Sequence, residues 1–525
     1  MIIMRLICLL RNEWNVCDDS LKEIKMKNST WENLKEWLLS LKVVDVSVKS
    51  PEEIKRLDLS SHAISQLPDN FGLLTELVSL NLSGNLLQTL PKSMATMKHL
   101  STLDLRRNHF TKFPSVLATL PLRSLNMSGN MLDDVSGIGK MKVLRVLDIS
   151  VNAITNMDEV FCPDNELRTV NLSHNYLKNV SSLFEQLSGT ERLDLSGNMI
   201  NNIPKSIGSM ENLVDLKLSD NVIEYVDDKL FDLPIESLDL SSNKLYWIRL
   251  ERLEDLENII LDFNPIKHIE VSEEFAPYLE VFSCDGCGLK SFVPIRSQEL
   301  KELCYASNEI TTVPEYIGKY VKLLELDLDG NDIIDLPDSM GNLSALNTLY
   351  IDGNPLSDGA KKIVEILHPE ICDIHMISGI SIEKAKEEDL SSMAELLSIL
   401  FAIEQDFTID FDKQLAGITK LFHHEGKELL VARHEENIVG MVTMQRLVSS
   451  AEGDYIGQIE DLVVKESYRK MGVGSRLLNK MRAIAQDLGY KRIQLAADEA
   501  NDNAMRFYTR RGFHQTHLKI YHYNA

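Results

Sequence analysis

The chain has 525 residues, of which 44% are hydrophobic and 26% charged, and its net charge is −24. A single hydrophobic core rarely supports this length, so we expect at least two domains unless a repeat array carries most of it. The composition excludes an intrinsically disordered chain. Residues 378–525 carry 19 Lys and Arg against 22 Asp and Glu, which leaves −21 for residues 1–377. A surface of that sign repels phosphate backbones, so we expect no nucleic-acid partner.

The N-terminal ten residues, MIIMRLICLL, are apolar except for Arg5. This run is too short to span a bilayer, and no small-x-small cleavage site follows it. We interpret it as a buried or frayed segment, with a weak signal peptide or a misassigned start as the alternatives, and we expect no membrane partner and a cytoplasmic location. The seven cysteines include only one C-x-x-C pair, Cys284 and Cys287, which indicates cytosolic thiols. The alternative for this pair is half of a metal site, but both residues fall at regular repeat positions, so we expect no bound metal.

Residues 1–51 are predicted to form an N-terminal segment and a helical cap. Apolar residues recur at helical spacing within 18–43, and such a helix would shield the first unit of a repeat array. These residues are Leu21, Ile24, Trp31, Leu34, Trp37, Leu38 and Leu41.

Residues 52–375 are dominated by a repeat of 21 to 23 residues, L-x-x-L-x-L-x-x-N-x-L, which resembles the leucine-rich repeat. The repeat predicts about 14 units in a solenoid, each with one short strand followed by an Asn that satisfies backbone groups at a turn. His62 and Cys287 replace that Asn in two units. The strand centres are predicted at Leu57, Leu80, Leu103, Leu125, Leu147, Val170, Leu193, Leu216, Leu238, Ile259, Phe282, Leu303, Leu326 and Leu349.

Acidic residues flank many of these strand centres and are expected to face the concave surface, because strand side chains alternate. One column runs from Asp58 to Asp327, and a neighbouring column becomes acidic at its end. Stacked carboxylates repel one another, so this face predicts a basic protein partner; the alternatives are hydrogen bonding between strands, or solubility alone. The acidic end of the second column comprises Asp262, Asp285, Asp329 and Asp352.

A helix over 358–367 is predicted to close the array, and a separate α/β domain is predicted over 376–525. Its elements are strands at 380–384, 429–434, 437–447, 456–464, 492–496 and from 513, and helices at 389–400, 410–422, 472–488 and 501–510. The fold class is therefore α/β, with a repeat solenoid followed by a mixed α/β domain.

A strand-to-helix loop with two glycines carries the sharpest chemical signal. Gly472 and Gly474 would let backbone N–H groups converge on a pyrophosphate at a helix N-terminus. With Arg469 they fit R-x-x-G-x-G, and residues 501–513 fit N-x-x-A-x-x-[LF]-Y-x-x-x-G-[FWY]. On these motifs residues 380–525 resemble a GNAT-superfamily N-acetyltransferase.

The resemblance implies acetyl-CoA as acyl donor and an amine as acceptor, without a metal. The backbone of Leu462, Val463 and Val464 would pair with the pantetheine arm, and Asn501 would contact the cofactor. The pyrophosphate would be held by Lys470, Met471, Gly472, Val473, Gly474 and Ser475, and by Arg469 unless this residue is only a solvated charge.

Tyr508 is the predicted general acid, because a hydroxyl of pKa about 10 can protonate a departing thiolate. The alternative for Tyr508 is a core aromatic. Glu460 is the candidate general base, with an ion pair or substrate anchor equally open. An acidic edge is formed by Glu404, Asp406, Asp410 and Asp412. It suits a cationic acceptor; the alternative is that these are only solvated carboxylates at helix ends.

Two functions remain open at this point. The first is an active N-acetyltransferase whose repeats recruit a protein partner. The second is a repeat adaptor whose acyltransferase-like domain binds acyl-CoA without turnover. The acceptor is open among a protein lysine, a protein N-terminus, a polyamine, an amino sugar and an antibiotic-like amine.

Overall fold

The computed structural model describes 30–162, 164–251, 253–272, 276–367, 373–375, 380–402, 409–450, 453–469 and 473–497, with residues 501, 504, 505, 507, 508 and 513. The chain divides into two compact units, residues 1–130 and 131–525. Within the described ranges, no helix combines the length and apolar character needed to cross a membrane. The predicted domain boundary near residue 375 stays a prediction, because 368–372 and 376–379 lie outside these ranges.

The first unit contains helix α1 and four parallel strands. The helix buries Leu34 and Leu38, and the Trp37 ring lies edge-to-face with Phe71 at 6.2 Å. A helix is thus present over Trp31–Ser40, while its role as a cap stays a prediction; Leu21 and Ile24 lie outside the described residues. The elements are α1 (Trp31–Ser40), β1 (Arg56–Asp58), β2 (Ser79–Asn81), β3 (Thr102–Asp104) and β4 (Ser124–Asn126).

The second unit continues the same repeat pattern. Its strands are β5 (Val146–Asp148), β6 (Thr169–Asn171), β7 (Arg192–Asp194), β8 (Asn202–Ile203), β9 (Asp215–Lys217), β10 (Tyr225–Val226), β11 (Ser237–Asp239), β12 (Trp247–Leu250), β13 (Asn258–Ile260), β14 (His268–Val271), β15 (Val281–Ser283), β16 (Glu302–Cys304), β17 (Glu325–Asp327), β18 (Thr348–Tyr350) and β19 (Asp373–His375). Two helices accompany them, α2 (Ser181–Gln186) and α3 (Asp358–Leu367). The last confirms the predicted closing helix.

All fourteen predicted strand centres are the middle residues of three-residue strands. Strands β5, β6, β7, β9, β11, β13 and β15 to β19 form one parallel sheet in that order, while β8 pairs with β10 and β12 with β14. The pairing aligns equivalent residues, such as Leu326 with Leu349. The leucine-rich-repeat solenoid predicted from the period is therefore confirmed.

The recurring Asn joins neighbouring repeats. Asn85 Oδ1 accepts from the backbone N–H groups of His62 (3.1 Å) and Ile64 (3.0 Å), and its Nδ2 donates to Leu59 O (2.8 Å). At position 287 the Cys thiol takes over the donor role, because Sγ donates to Leu261 O at 3.3 Å. The described residues contain no group of three or more metal-ligating side chains.

In the first acidic column Asp58 is exposed and Asp104, Asp148, Asp194 and Asp239 are half-buried, as strand alternation predicts, and their carboxylates also hydrogen-bond the backbone. Asp327 and, at the acidic end of the second column, Asp285, Asp329 and Asp352 are buried, which corrects the expectation that these residues face solvent. Asp58 Oδ1 accepts from the backbone N–H of Ser60 at 2.9 Å. Equivalent bonds recur at Asp104, Asp148, Asp194, Asp239 and Asp327.

The acidic end of the second column is buried for a related reason. Asp285 Oδ1 accepts from Ala306 N–H at 2.7 Å, and Asp329 Oδ1 accepts from Asp352 N–H at 2.8 Å. These carboxylates therefore hydrogen-bond the backbone of a neighbouring repeat, and Asp285, Asp329 and Asp352 are all buried.

The described residues of the C-terminal part form a five-stranded sheet in chain order with helices on both faces. The first three pairings are antiparallel and the last is parallel. Helix α6 packs on one face, and α4 and α5 pack on the other. The elements are β20 (Ile380–Lys384), α4 (Leu390–Phe401), α5 (Phe411–His423), β21 (Lys427–His434), β22 (Asn437–Ser449), β23 (Asp454–Val464), α6 (Val473–Asp487) and β24 (Ile493–Leu495).

This order confirms the mixed α/β domain, and the antiparallel strands β21 and β22 are joined by a turn in which Glu435 has a φ of +55°. Of the helix predicted over 501–510, residues 504, 505, 507 and 508 are described and helical. The strand predicted from residue 513 lies outside the described residues, apart from Phe513 itself, which has no regular secondary structure.

Candidate functional site

Strand β23, which carries the candidate cofactor residues 462–464, contains a β-bulge opposite β22. Val442 pairs with Leu462 and Met444 with Ile459, so Thr443 lies opposite both Glu460 and Asp461. The Thr443 hydroxyl, fully buried, donates to Asp461 Oδ2 at 2.8 Å and accepts from Asp461 N–H at 3.2 Å. This polar pair holds the extra residue of the bulge in place.

The other edge of β23 loses its partner at the same point. Its parallel pairing with β24 covers Gly457–Ile459 and ends at the Ile459–Leu495 pair. Over the described residues, 460–464 pair only with β22. The backbone of Leu462, Val463 and Val464 can therefore pair with an extended ligand on that edge, as a missing strand would.

Helix α6 begins against the end of this open strand. A Cβ on Gly474 would lie 3.4 Å from the Phe507 ring and 3.8 Å from Val464 Cγ2. Val473 and Ser475 are buried in the first turn. The N-terminus of a 15-residue helix presents unpaired N–H groups and a positive dipole end, which favour an anion. Lys470, Met471 and Gly472, predicted to complete this cradle, lie outside the described residues.

Arg469 folds back on the strand. Its Nε donates to Val464 O at 3.1 Å, while the side chain stays exposed. Tyr468, one residue earlier, has its hydroxyl 3.1 Å from His434 Nδ1. No local sequence pattern pairs Tyr468 with His434, because His434 ends β21 and Tyr468 lies 34 residues later, beyond the end of β23.

Asn501 begins the last described helical turn. Its Oδ1 accepts from Ala504 N–H at 3.1 Å, and its carbonyl accepts from Met505 N–H at 3.0 Å. This is an N-cap, a common use of Asn. A contact of Asn501 with the cofactor stays a prediction.

Tyr508 is half-buried in an aromatic group. Its ring centroid lies 5.3 Å from that of Phe507 and 5.9 Å from that of Phe513, in edge-on geometry. The same Phe507 borders Gly474, so the candidate acid and the start of α6 share a neighbour. Tyr508 also packs against the core between α6 and the sheet.

The candidate base and the acidic edge differ in exposure and use. Glu460 is exposed on the bulge, and its role as base, ion-pair member or substrate anchor stays a prediction. Asp410 caps α5, since its Oδ1 accepts from Lys413 N–H at 3.1 Å. Asp412 is exposed, while Glu404 and Asp406 lie outside the described residues.

Sequence reasoning missed Thr443 and Asp461, which shape the site without belonging to either motif. The available signal was a polar residue in the middle of the buried stretch 439–444. A buried hydroxyl in such a strand needs a hydrogen-bond partner, and a bulge supplies one.

Comparison with known proteins assigns both parts. The model of the acetyltransferase (GNAT) family matches residues 392–513, and the leucine-rich-repeat model matches 52–110, 75–132 and 165–223. N-alpha-acetyltransferase 60 of Xenopus tropicalis is 30% identical over 155 residues, covering 26% of this chain but only 60% of that protein. Thialysine N-epsilon-acetyltransferase of Bos taurus is 30% identical over 138 residues, covering 25% of this chain and 81% of that enzyme.

Among solved structures, a leucine-rich-repeat protein of Leptospira interrogans is similar over 61% of this chain and 95% of its own, with 22% identity and a TM-score of 0.46. The matched ranges and the geometry agree on the family of each part. Through its C-terminal domain this chain belongs to the GNAT acetyltransferase family, and it carries that domain behind an array of leucine-rich repeats.

Proposed function

We propose that the chain is an acetyl-CoA-dependent N-acetyltransferase that acts on an amine, with its repeats as a recruitment module for a protein partner. One observation carries the enzymatic part: the open edge of β23, the first turn of α6 and the aromatic group of Tyr508 meet around Gly474 and Phe507. These are the parts that an acyl-CoA arm, a pyrophosphate and a leaving thiolate require.

The residues present fit acetyl-CoA as a substrate. Gly474 leaves open the space that a side chain would fill between Phe507 and Val464. In this proposal the N–H groups from Lys470 to Ser475 hold the pyrophosphate, helped by Arg469 once it leaves Val464 O. The backbone of 462–464 pairs with the pantetheine arm, and Asn501 adds a polar contact.

The chemistry is a direct transfer. The amine nitrogen bonds to the thioester carbon and the carbon–sulfur bond breaks. Glu460 takes the proton that the amine loses, directly or through water, and Tyr508 gives a proton to the thiolate. The exposure of Glu460 supports this role, since an incoming amine and water can reach its carboxylate.

A thiol-release assay with acetyl-CoA tests the proposal over lysine peptides, N-terminal peptides, polyamines, amino sugars and aminoglycosides. Release of free CoA thiol that depends on one of these amines supports the enzyme. Binding of acetyl-CoA without release on any of them would instead favour the repeat adaptor that binds acyl-CoA without turnover.

We propose that the partner is a basic protein segment bound on the concave face of the repeats. The charge of −21 over residues 1–377 supports it. Because Asp285, Asp329 and Asp352 are buried, the contact falls to concave carboxylates such as Glu302 and Glu325, which lie side by side on β16 and β17. Replacing both by Gln should weaken capture of a basic peptide, and raising salt should do the same. Equal binding by the double variant would contradict this.

We also propose a cytoplasmic location and a division of the chain near residue 375. Four cysteines in the described ranges are free thiols, which suits a reducing compartment: Cys162, Cys284, Cys287 and Cys304.

Limited proteolysis should cut near 375; cuts within the repeats with an intact junction would contradict the division.

A further inference from the structure

Helix α6 has a second face that the acetyltransferase chemistry does not use. One face buries Leu477, Leu478 and Met481 in the core against the sheet. Arg476, Asn479 and Arg482 follow each other at intervals of three, so they share a stripe on another face. All three side chains contact the repeats.

The contacts reach three separate repeats. Arg476 Nη1 lies 3.5 Å from Asp352 Oδ1, and Asn479 Nδ2 donates to Ser307 Oγ at 2.5 Å. The Arg482 guanidinium lies 4.4 Å from the centre of the Phe263 ring, within range of a cation–π interaction.

The repeats present one continuous edge to this helix. Phe263 and Ser307 occupy the same position in their units, the residue before the ladder Asn, with φ of +56° and +57°. Gly353 holds that position in the last unit, beside Asp352, with φ of +75°. A Cβ on Gly353 would lie 3.2 Å from Gly330 Cα, a tight contact, and 3.7 Å from Arg476 Cδ, an ordinary one, so Arg476 packs directly against this turn.

Arg476 contacts both the last repeat and the first strand of the C-terminal domain. Its Nη2 donates at 2.7 Å to the carbonyl oxygen of Ile380, the first residue of β20. Its Nη1 lies beside Asp352 of the last repeat. The Asp352 side chain is only 5% exposed, and its Oδ2 has no hydrogen-bond partner among the described residues. A buried carboxylate of this kind is costly without a nearby cation, and Arg476 supplies one.

We propose that the turn edge of the last five repeats is a docking surface for α6 of the same chain, and that this docking supports the acetyl-CoA cradle. Arg476 is the positioning residue, because Gly474 and Ser475 directly precede it. This rests on the proposed use of acetyl-CoA. It makes the repeats part of the acyltransferase site, so docking and acetyl-CoA binding favour each other.

The test uses the full chain with two variants. Arg476→Ala removes the contacts of Arg476, and Lys480→Ala removes an exposed cation from the same helix as a matched control. Hydrogen exchange of the amides in 302–307 and 348–353 reports docking without any ligand, and calorimetry with acetyl-CoA reports the cradle. We expect faster exchange and about tenfold weaker acetyl-CoA binding for Arg476→Ala only.

A third variant distinguishes loss of the Arg476–Asp352 ion pair from a general destabilisation of the helix. In an Asp352→Asn background the buried charge is gone, so Arg476→Ala should accelerate exchange less than in the wild type. Exchange of Arg476→Ala equal to that of Lys480→Ala would overturn the docking surface. Faster exchange with unchanged acetyl-CoA affinity would overturn the support of the cradle. If the wild type bound no acetyl-CoA, the proposed function would fail while the exchange data still decided the docking.

Discussion

The Thr443 hydroxyl and the Asp461 carboxylate are joined by two hydrogen bonds across the bulge of β23, at 2.8 Å and 3.2 Å. Thr443 is fully buried, and the bond from Asp461 N–H replaces a regular ladder bond that the bulge interrupts. The pair thereby sets the path of Leu462, Val463 and Val464, whose open edge is the proposed track for the pantetheine arm.

Thr443→Val should disturb that path. Loss of the hydroxyl removes one hydrogen bond to the Asp461 carboxylate and one from the Asp461 N–H, which should lower the free energy of unfolding by about 1–3 kcal/mol. Acetyl-CoA affinity, measured by calorimetry, should fall as well, and Thr443→Ser should restore it. Thr419→Val is the control, because Thr419 bonds to Leu415 O in α5 away from the bulge. Equal acetyl-CoA affinity for Thr443→Val and Thr419→Val would show that the pair has only a structural role.

Tyr508→Phe should separate catalysis from binding. The ring can keep its contacts with Phe507 and Phe513, so acetyl-CoA affinity should change little. Turnover should fall by about a hundredfold, the lower end for general acid catalysis, because the thiolate loses its proton donor. Steady-state thiol release measures kcat, and Tyr455→Phe on an exposed strand position is the control. If Tyr508→Phe kept the kcat of the wild type, Tyr508 would not be the general acid and would serve only as an aromatic residue of the core.

Gly474→Asp and Gly474→Ala should behave differently. The Ala Cβ would meet the Phe507 ring at 3.4 Å, a contact that a small shift can absorb. The Asp carboxylate adds a charge that repels phosphate at the helix N-terminus. We expect acetyl-CoA binding by calorimetry to be retained by Ala and lost by Asp. Retention of binding by both would place the pyrophosphate elsewhere.

The period of the sequence was enough to predict fourteen strands of the main sheet, because each unit repeats the same burial pattern, but it did not predict the short strands β8, β10, β12 and β14 or the last strand β19. The period could not predict that Asp285 and Asp329 are buried. Strand alternation predicts the face on which a side chain lies, but it does not predict which backbone N–H groups of the next repeat will bond to that side chain. The motif around Gly474 likewise predicted the helix N-terminus. Arg476 and Asp352 are too far apart in the chain for any local pattern to pair them.

Asp262 should make stability depend on pH. Burial raises the pKa of its carboxyl from 3.8 to about 6, against the opposing effect of hydrogen bonds from Ser283 and Asp285. The folded state therefore holds a proton that the unfolded state has lost between about pH 4 and pH 6. Stability should fall as pH rises through that window, and the loss should be complete above the folded pKa.

Asp262→Asn tests this directly, because the amide oxygen can accept the same two bonds without a charge. Denaturant unfolding at a series of pH values should show a variant that is more stable at neutral pH by about 1–3 kcal/mol and less dependent on pH. Asp148→Asn, which keeps equivalent bonds to Ser150, is the control. An unchanged slope in Asp262→Asn would contradict the assignment.

The most direct measurement of the central claim follows the acetyl group itself. The wild-type chain is incubated with acetyl-CoA and the amine that gives the strongest thiol release, and mass spectrometry detects the acetylated product while thiol release is counted in parallel. We predict one acetyl group on nitrogen for each thiol released, a much slower reaction with Tyr508→Phe, and none with Gly474→Asp. Thiol release without an acetylated amine, or equal product from wild type and Gly474→Asp, would contradict an N-acetyltransferase built on this site.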